Sequence, residues 1–236
     1  MHNPIQILFT GQSIEKGIIE KLPSHLILDT IPFIETNLST DAKALETLQQ
    51  LVNQNAFVVV TSQIAVNWFK ENITIIPNWS IACMKGQTEK ALCDLGWGKL
   101  IQYTATNSLE LAKEIASNVP KSNIITFVGS NQRLANLPNY LENQDFSVKE
   151  LVAYTTIEKY QEIDKQYDAI IFLSPSAVNC FFNHYSIEEQ VKLFAIGQTT
   201  SEAIYKRTNN ESIVSDGTSQ CELFNTIINY YQNICH

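Results

Sequence analysis

Six short turns hold the residues of this chain that could do chemistry. They are Gly11-Gln12-Ser13, Thr61-Ser62, Gly86-Gln87-Thr88, Gly129-Ser130-Asn131, Ser174-Pro175-Ser176 and Gly197-Gln198-Thr199-Thr200. Each follows an apolar run, four of them open a stretch of helical periodicity, and each offers a hydroxyl or an amide. Glycine lets a ligand come close to the backbone. The first N–H groups of a helix lack intrahelical partners and sit at the positive end of its dipole, so such turns attract anions. Any one of them reads as a helix cap. Six together describe a set of grips for a polyanionic ligand, held by backbone and hydroxyls instead of a lysine patch.

That distinction matters because the chain is acidic, with a net charge of −8 and a pI near 5. A nucleic-acid partner would call for a basic face, and none is expected. Long-range attraction of an anion is poor for the same reason. There is no G-x-x-x-x-G-K-[ST] run and no G-x-G-x-x-G, so dedicated nucleotide motifs are absent. A G-x-S-x-G elbow is missing too, and His2, His25, His184 and His236 assemble no Ser-His-Asp set. Cys83, Cys93, Cys180, Cys221 and Cys235 are scattered and form no C-x-x-C pair. Neither a metal nor a cofactor is expected. The start "MHNPIQILFT" reads as a first strand instead of a signal peptide, and no run is long enough for a membrane span. A cytoplasmic protein with no membrane partner is therefore expected, acting as a monomer.

Among the elements around these turns, two stretches are written almost alike. "TSQIAVNWF" (61–69) and "LSPSAVNCF" (173–181) share five of nine positions at an offset of 112 residues. At that same offset Thr88 falls on Thr200 and Ala91 on Ala203. Short apolar strands and amphipathic helices alternate along the whole chain, which implies parallel sheets covered on both faces. Ten strands are expected, at 5–10, 26–31, 57–61, 80–84, 99–103, 123–128, 147–154, 169–173, 193–196 and 212–214. Helices with clear start signals include 107–116, with Asn107 and Glu110 at capping-box spacing, and 219–231, where Ser219 and Glu222 repeat it.

The repeat divides these strands between two similar α/β domains, each a flavodoxin-like parallel sheet, one inserted in the other. Residues 35–156 form the inserted domain, and 1–34 with 157–236 the outer one. Two extended, Thr-rich crossing segments, 30–37 and 152–159, form the two-stranded linker. Ligands of parallel sheets bind beyond the carboxyl ends of the strands, where all six turns lie.

These residues resemble the uroporphyrinogen-III synthase family. The resemblance runs through "FVVVTSQIAVNWF", "VGSNQRLANLPNYLENQDFSVKELVAYTT", "IIFLSPSAVNCFF", "FAIGQTTSEAI" and "SDGTSQCELFNTII". It implies two α/β domains joined by a two-stranded ladder, with an active site in the cleft between them. It also implies a substrate, the linear tetrapyrrole hydroxymethylbilane, closed into a ring with inversion of its terminal pyrrole and loss of water, without a cofactor. Thr61, Ser62, Thr88, Gly129, Ser174, Ser176, Gly197, Thr199 and Thr200 become the expected grips for its acetate and propionate arms, with Arg133 adding a charge. Tyr154, in the Tyr-Thr-Thr that ends the returning strand, is the expected general acid. Two departures stand out. Relatives commonly follow the first strand with Thr-Arg, where this chain has Thr10-Gly11, and Gly86 sits one step later than Gly197 in the repeat. A second function fits the same turns, namely a two-domain protein that binds a small anion without chemistry.

Overall fold

In the computed structural model, residues 4–132 and 136–234 are described. The chain opens with β1 (Ile5–Phe9), β2 (Leu26–Thr30) and β3 (Ile34–Leu38), followed by α1 (Ala42–Val52) and β4 (Ala56–Val60). Next come α2 (Gln63–Asn72), β5 (Trp79–Met84), α3 (Gln87–Asp94), β6 (Ile101–Ala105) and α4 (Ser108–Asn118). β7 (Ile124–Ser130), α5 (Asn136–Asn143) and β8 (Ser147–Glu158) complete the middle of the chain. β9 (Ala169–Phe172), α6 (Pro175–His184), β10 (Lys192–Ala195), α7 (Gln198–Tyr205), β11 (Ser212–Val214) and α8 (Gln220–Ile234) close it.

Contacts divide the chain into a unit of Met1–Glu35 with Ile157–His236 and a unit of Thr36–Thr156. The first holds a sheet in the order β11-β10-β9-β1-β2, with every neighbouring pair parallel. The second holds β3-β8-β7-β4-β5-β6, parallel from β8 to β6. The first order is the doubly wound 2-1-3-4-5 arrangement. The second gives the same arrangement when counting starts at β7, with β3 added outside β8. The two sheets are therefore one topology begun at different points along the chain, and the 112-residue echo maps β4 onto β9 and β5 onto β10.

The central strands are apolar on both faces because helices cover both. In β4, Val58 and Val60 face the cluster under α1, α2 and α3, while Phe57 and Val59 face the one under α4 and α5. β9 divides in the same way: Ile170 and Phe172 pack with Ala177, Val178 and Phe181 of α6, and Ala169 and Ile171 with Leu223, Phe224 and Ile227 of α8. Such strands read as continuous hydrophobic runs, as parallel sheets require.

The helix starts follow their caps. Asn107 Oδ1 accepts the Glu110 N–H at 2.9 Å, but the Glu110 carboxylate takes the Thr106 hydroxyl at 2.7 Å, so this box closes one residue earlier than its spacing suggests. At α8 the box is reciprocal: Ser219 Oγ accepts from Glu222 N–H at 3.2 Å, and Glu222 Oε2 from Ser219 N–H at 3.0 Å.

Three strands depart from expectation. The one expected at 99–103 runs 101–105, because residues 98–100 form a single tight helical turn. The strand expected to stop at Val128 continues to Ser130, and the one expected to stop at Tyr154 continues to Glu158. The crossing segment after β2 contains a strand of its own, β3. Ser39 N–H donates to Ala153 C=O at 2.8 Å and Lys159 N–H to Phe33 C=O at 2.9 Å, so β3 and β8 run antiparallel as the two-stranded link.

Candidate active site

In the Thr36–Thr156 unit, the strand order reverses between β4 and β7, and both strands end in candidate residues. Thr61 follows β4 and is half-buried. Ser62 caps α2, its Oγ accepting the Ile64 N–H at 3.1 Å. Its hydroxyl also reaches the phenol of Tyr154 on β8. Burial pushes the Tyr154 pKa above its ordinary value, and the Ser62 hydrogen bond pulls weakly the other way. The phenol is thus neutral, a proton donor, throughout the physiological range.

A break in the β7–β8 register puts Tyr154 there. Gly129 pairs with Val152, yet Ser130 pairs with Tyr154, leaving Ala153 as the extra residue of a β-bulge. Leu151, Ala153 and Tyr154 all pack against the same cluster, which strict alternation forbids for the adjacent pair. The loop after the bulge is tied to the returning strand. Asn131 N–H donates to Tyr154 C=O at 3.0 Å, and Asn131 Oδ1 accepts from Thr156 N–H at 2.9 Å. Gln132 Nε2 donates to Thr156 C=O at 3.0 Å. Gly129 lies inside β7, buried, and an added Cβ would stand 3.0 Å from Phe127 Cε1. Arg133 lies outside the described residues.

In the other unit the order reverses between β1 and β9. Ser174, after β9, caps α6 by accepting the Ala177 N–H at 3.2 Å, with Pro175 at the first helical position and half-buried Ser176 next. After β1, the buried Thr10 hydroxyl donates to Ile171 C=O at 2.7 Å. Gly197 caps α7 in extended conformation, with exposed Thr199 in the first turn. Thr88 and Thr200 are only 5% and 2% exposed, so their side chains serve the cores and any grip at Thr88 falls to the backbone. Gly86 has φ 89° and ψ −125°, a glycine conformation that Gly197, at φ −173°, does not share. The one-step offset between the two turns is thus a real difference in backbone.

Each unit also has a cavity, of about 710 Å³ and about 740 Å³. Both open at the amino ends of the strands, around Gln6, Asp168 and Lys192 in one and Asn55, Ser80 and Asn123 in the other, and no candidate residue lines either. The caps of α2, α6 and α7 lie instead at the carboxyl ends of the strands. Among the described residues no cluster of His, Cys, Asp and Glu could hold a metal ion, and no helix is long and apolar enough to cross a membrane.

A family model for uroporphyrinogen-III synthase HemD matches residues 27–232. The chain belongs to the uroporphyrinogen-III synthase family. It is accordingly an enzyme, a cyclising lyase of tetrapyrrole and heme biosynthesis that converts hydroxymethylbilane to uroporphyrinogen III, and not a non-catalytic binding protein. Solved uroporphyrinogen-III synthases share its fold. The Helicobacter pylori protein is 15% identical with a TM-score of 0.63, over 96% of this chain and 99% of that one. A selenomethionine mutant of the Thermus thermophilus protein is 15% identical with a TM-score of 0.71, over 98% and 99%. No curated protein matches the chain significantly.

Proposed function

We propose that the cyclisation is carried out by anion grips at the carboxyl ends of both sheets, with Tyr154 as the one proton donor. The terminal hydroxyl of the bilane leaves as water, taking a proton from Tyr154 Oη while the pyrrole nitrogen supplies the electron pair, and an electrophilic azafulvene remains. The substituted carbon of the far ring attacks it to give a spiro intermediate. Fragmentation and reclosure turn that ring over. Unaided closure gives the uninverted isomer, so the protein's main task is positioning. Ser62, Ser174, Ser176 and Thr199 supply hydroxyls. The turns at Thr61, Thr88 and Gly197 supply backbone N–H groups, and Arg133 supplies a charge, whereas Gly129 lies within β7 and the Thr200 N–H donates to Gly197 C=O.

The observation that supports this reading most is the β-bulge that turns the buried Tyr154 phenol onto the face covered by α2, toward the Ser62 cap. A neutral phenol is held beside a helix N-terminus at the place where the strand order reverses. Ser62 can donate to the phenol oxygen, which leaves the Tyr154 proton to point at a leaving group.

The test is incubation of the purified protein, without added metal or cofactor, with freshly generated hydroxymethylbilane, followed by oxidation and separation of the type I and type III porphyrins. Type III should predominate, and Tyr154→Phe should lower kcat by about ten- to a hundredfold, the low end for a general acid because the pyrrole helps expel the hydroxyl. Type I alone, at the rate of the blank, would overturn the reading.

A further inference from the structure

We infer that Asn131 is the positioning residue for Tyr154, acting as a clamp across the β7–β8 bulge; the inference rests on the proposed role of Tyr154 as proton donor. A bulge leaves a residue out of the ladder and locally disrupts pairing, so the segment after Ala153 needs other support. Asn131 provides it from both sides. Its backbone N–H holds the Tyr154 carbonyl at 3.0 Å, and its side-chain Oδ1 accepts the Thr156 N–H at 2.9 Å. The two peptide groups that follow the bulge are thereby fastened to one residue, which takes the place of the missing ladder partner.

The neighbours of Asn131 hold its side chain in that role. Ser130 Oγ donates to Asn131 Oδ1 at 3.2 Å and accepts the Gln132 N–H at 3.0 Å. Gln132 Nε2 takes the Thr156 carbonyl at 3.0 Å. Thr156 is itself 8% exposed, so its peptide groups have little water to turn to. Asn131, by contrast, is exposed, and nothing in the core requires an asparagine there. Its amide oxygen is engaged inward, on the strand that bears the phenol, and not outward on a ligand. With the clamp open, Tyr154 keeps its packing, but the backbone that aims its phenol is no longer held. A displacement of about 1 Å at a reacting group can cost a hundredfold in rate.

Four forms of the full chain test this: Asn131→Leu, which keeps the volume and loses the acceptor; Asn131→Asp, which keeps the acceptor; Tyr154→Phe; and Asn131→Leu with Tyr154→Phe. The readouts are kcat, KM, the type III fraction and the melting temperature. Asn131→Leu should lower kcat about ten- to a hundredfold with KM within about threefold, and Asn131→Asp should recover most of kcat. In the Tyr154→Phe background the leucine should have no further effect on kcat, because a misplaced donor and an absent donor are equivalent. Full activity of Asn131→Leu beside a slow Tyr154→Phe would overturn the clamp and leave the role of Tyr154 intact. Losses that multiply in the double variant would overturn it as well, since Asn131 would then act independently of Tyr154. A fully active Tyr154→Phe would remove the role on which the clamp rests, and the clamp with it. If Asn131→Leu fails to fold, Gln132→Ala replaces it, with a roughly two- to fivefold loss of kcat expected that likewise vanishes in the Tyr154→Phe background.

Discussion

Replacing Gly197 with alanine separates what the fold needs at this turn from what a ligand needs. Gly197 caps α7 with φ −173° and ψ 174°, extended backbone that any residue adopts. A Cβ built there meets nothing within 4 Å. Alanine is a poorer N-cap than glycine, by up to about 1 kcal/mol. It also restricts the unfolded chain, a gain of about 0.4–1 kcal/mol. These offset, and the melting temperature should move by less than about 2 °C. Gly11→Ala is the contrast. Its Cβ would lie 2.6 Å from both Leu173 Cδ1 and Phe9 Cε1. Overpacking of that kind costs about 1–3 kcal/mol, or a fall of roughly 2–10 °C in a chain of this size. If Gly197 is a grip, the new methyl stands where a substrate carboxylate meets the backbone. Losing one charge-assisted hydrogen bond, about 1.5–3 kcal/mol, lowers kcat/KM roughly ten- to 150-fold. Differential scanning calorimetry and the isomer-resolved assay measure both halves. Unchanged kcat/KM and an unchanged type III fraction in a normally folded Gly197→Ala would refute the idea that this glycine serves a ligand.

Three other outcomes follow from the same structure. Ser62→Ala removes the α2 cap and the Tyr154 partner together, so it should lose about 1 kcal/mol of stability and also slow turnover, whereas Ser62→Thr should restore both in the melting and turnover assays. Burial raises the Tyr154, Tyr167 and Tyr231 pKa values in the folded state. Their stabilising contribution is therefore whole below the unfolded value of about 10 and is lost as pH rises beyond it, by at most about 1.4 kcal/mol per pH unit for each fully shielded phenol. Urea midpoints should hold to about pH 9.5 and fall above about pH 10, less steeply in Tyr231→Phe; a flat profile to about pH 11 would be the contrary result. Burial pushes the Cys83 thiol up to about 12 and raises Cys180 as well, while Cys93 and Cys221 are exposed. With a thiol reagent at about pH 8, Cys93→Ser and Cys221→Ser should each remove one fast-reacting group, and Cys83→Ser and Cys180→Ser none.

The turns were legible because caps are local: Ser174-Pro175 and Ser62 announce helix starts within three residues, and both cap as their types require. The fold class was legible because the helix and strand periods alternate and one strand-turn-helix phrase recurs. β3 was legible only as an extended, Thr-rich crossing segment at 30–37, because its short apolar face, Ile34 and Leu38, carries too little pattern to fix its bounds without β8 as a partner. The Tyr154–Ser62 contact was illegible. Alternation from Leu151 and Ala153 turns Tyr154 to the other face, and only the unpaired residue between Val152 and Tyr154 brings it back. Asn131 stood in view in "VGSNQR", but its spacing offered itself as an outward grip. That its oxygen turns inward depends on a partner strand that no local pattern announces.

Because the two sheets share one connectivity begun at different strands, the architecture carries a record of its own assembly. The inserted copy starts at β4 and the outer one at β1, so β7 and β8, which close the first, correspond to β1 and β2, which open the second. The stretch from β4 to α4 runs in the same order as β9 to α8 and can echo in sequence, while the correspondence of β7 and β8 with β1 and β2 survives in space alone. The two ends of the Thr36–Thr156 unit leave on adjacent, mutually bonded strands, so the rest of the chain has only a short gap to span there. Residues 36–156 therefore have the anatomy of a cassette whose strands β4 to β7 lie wholly within it, while β3 and β8 run across its two boundaries.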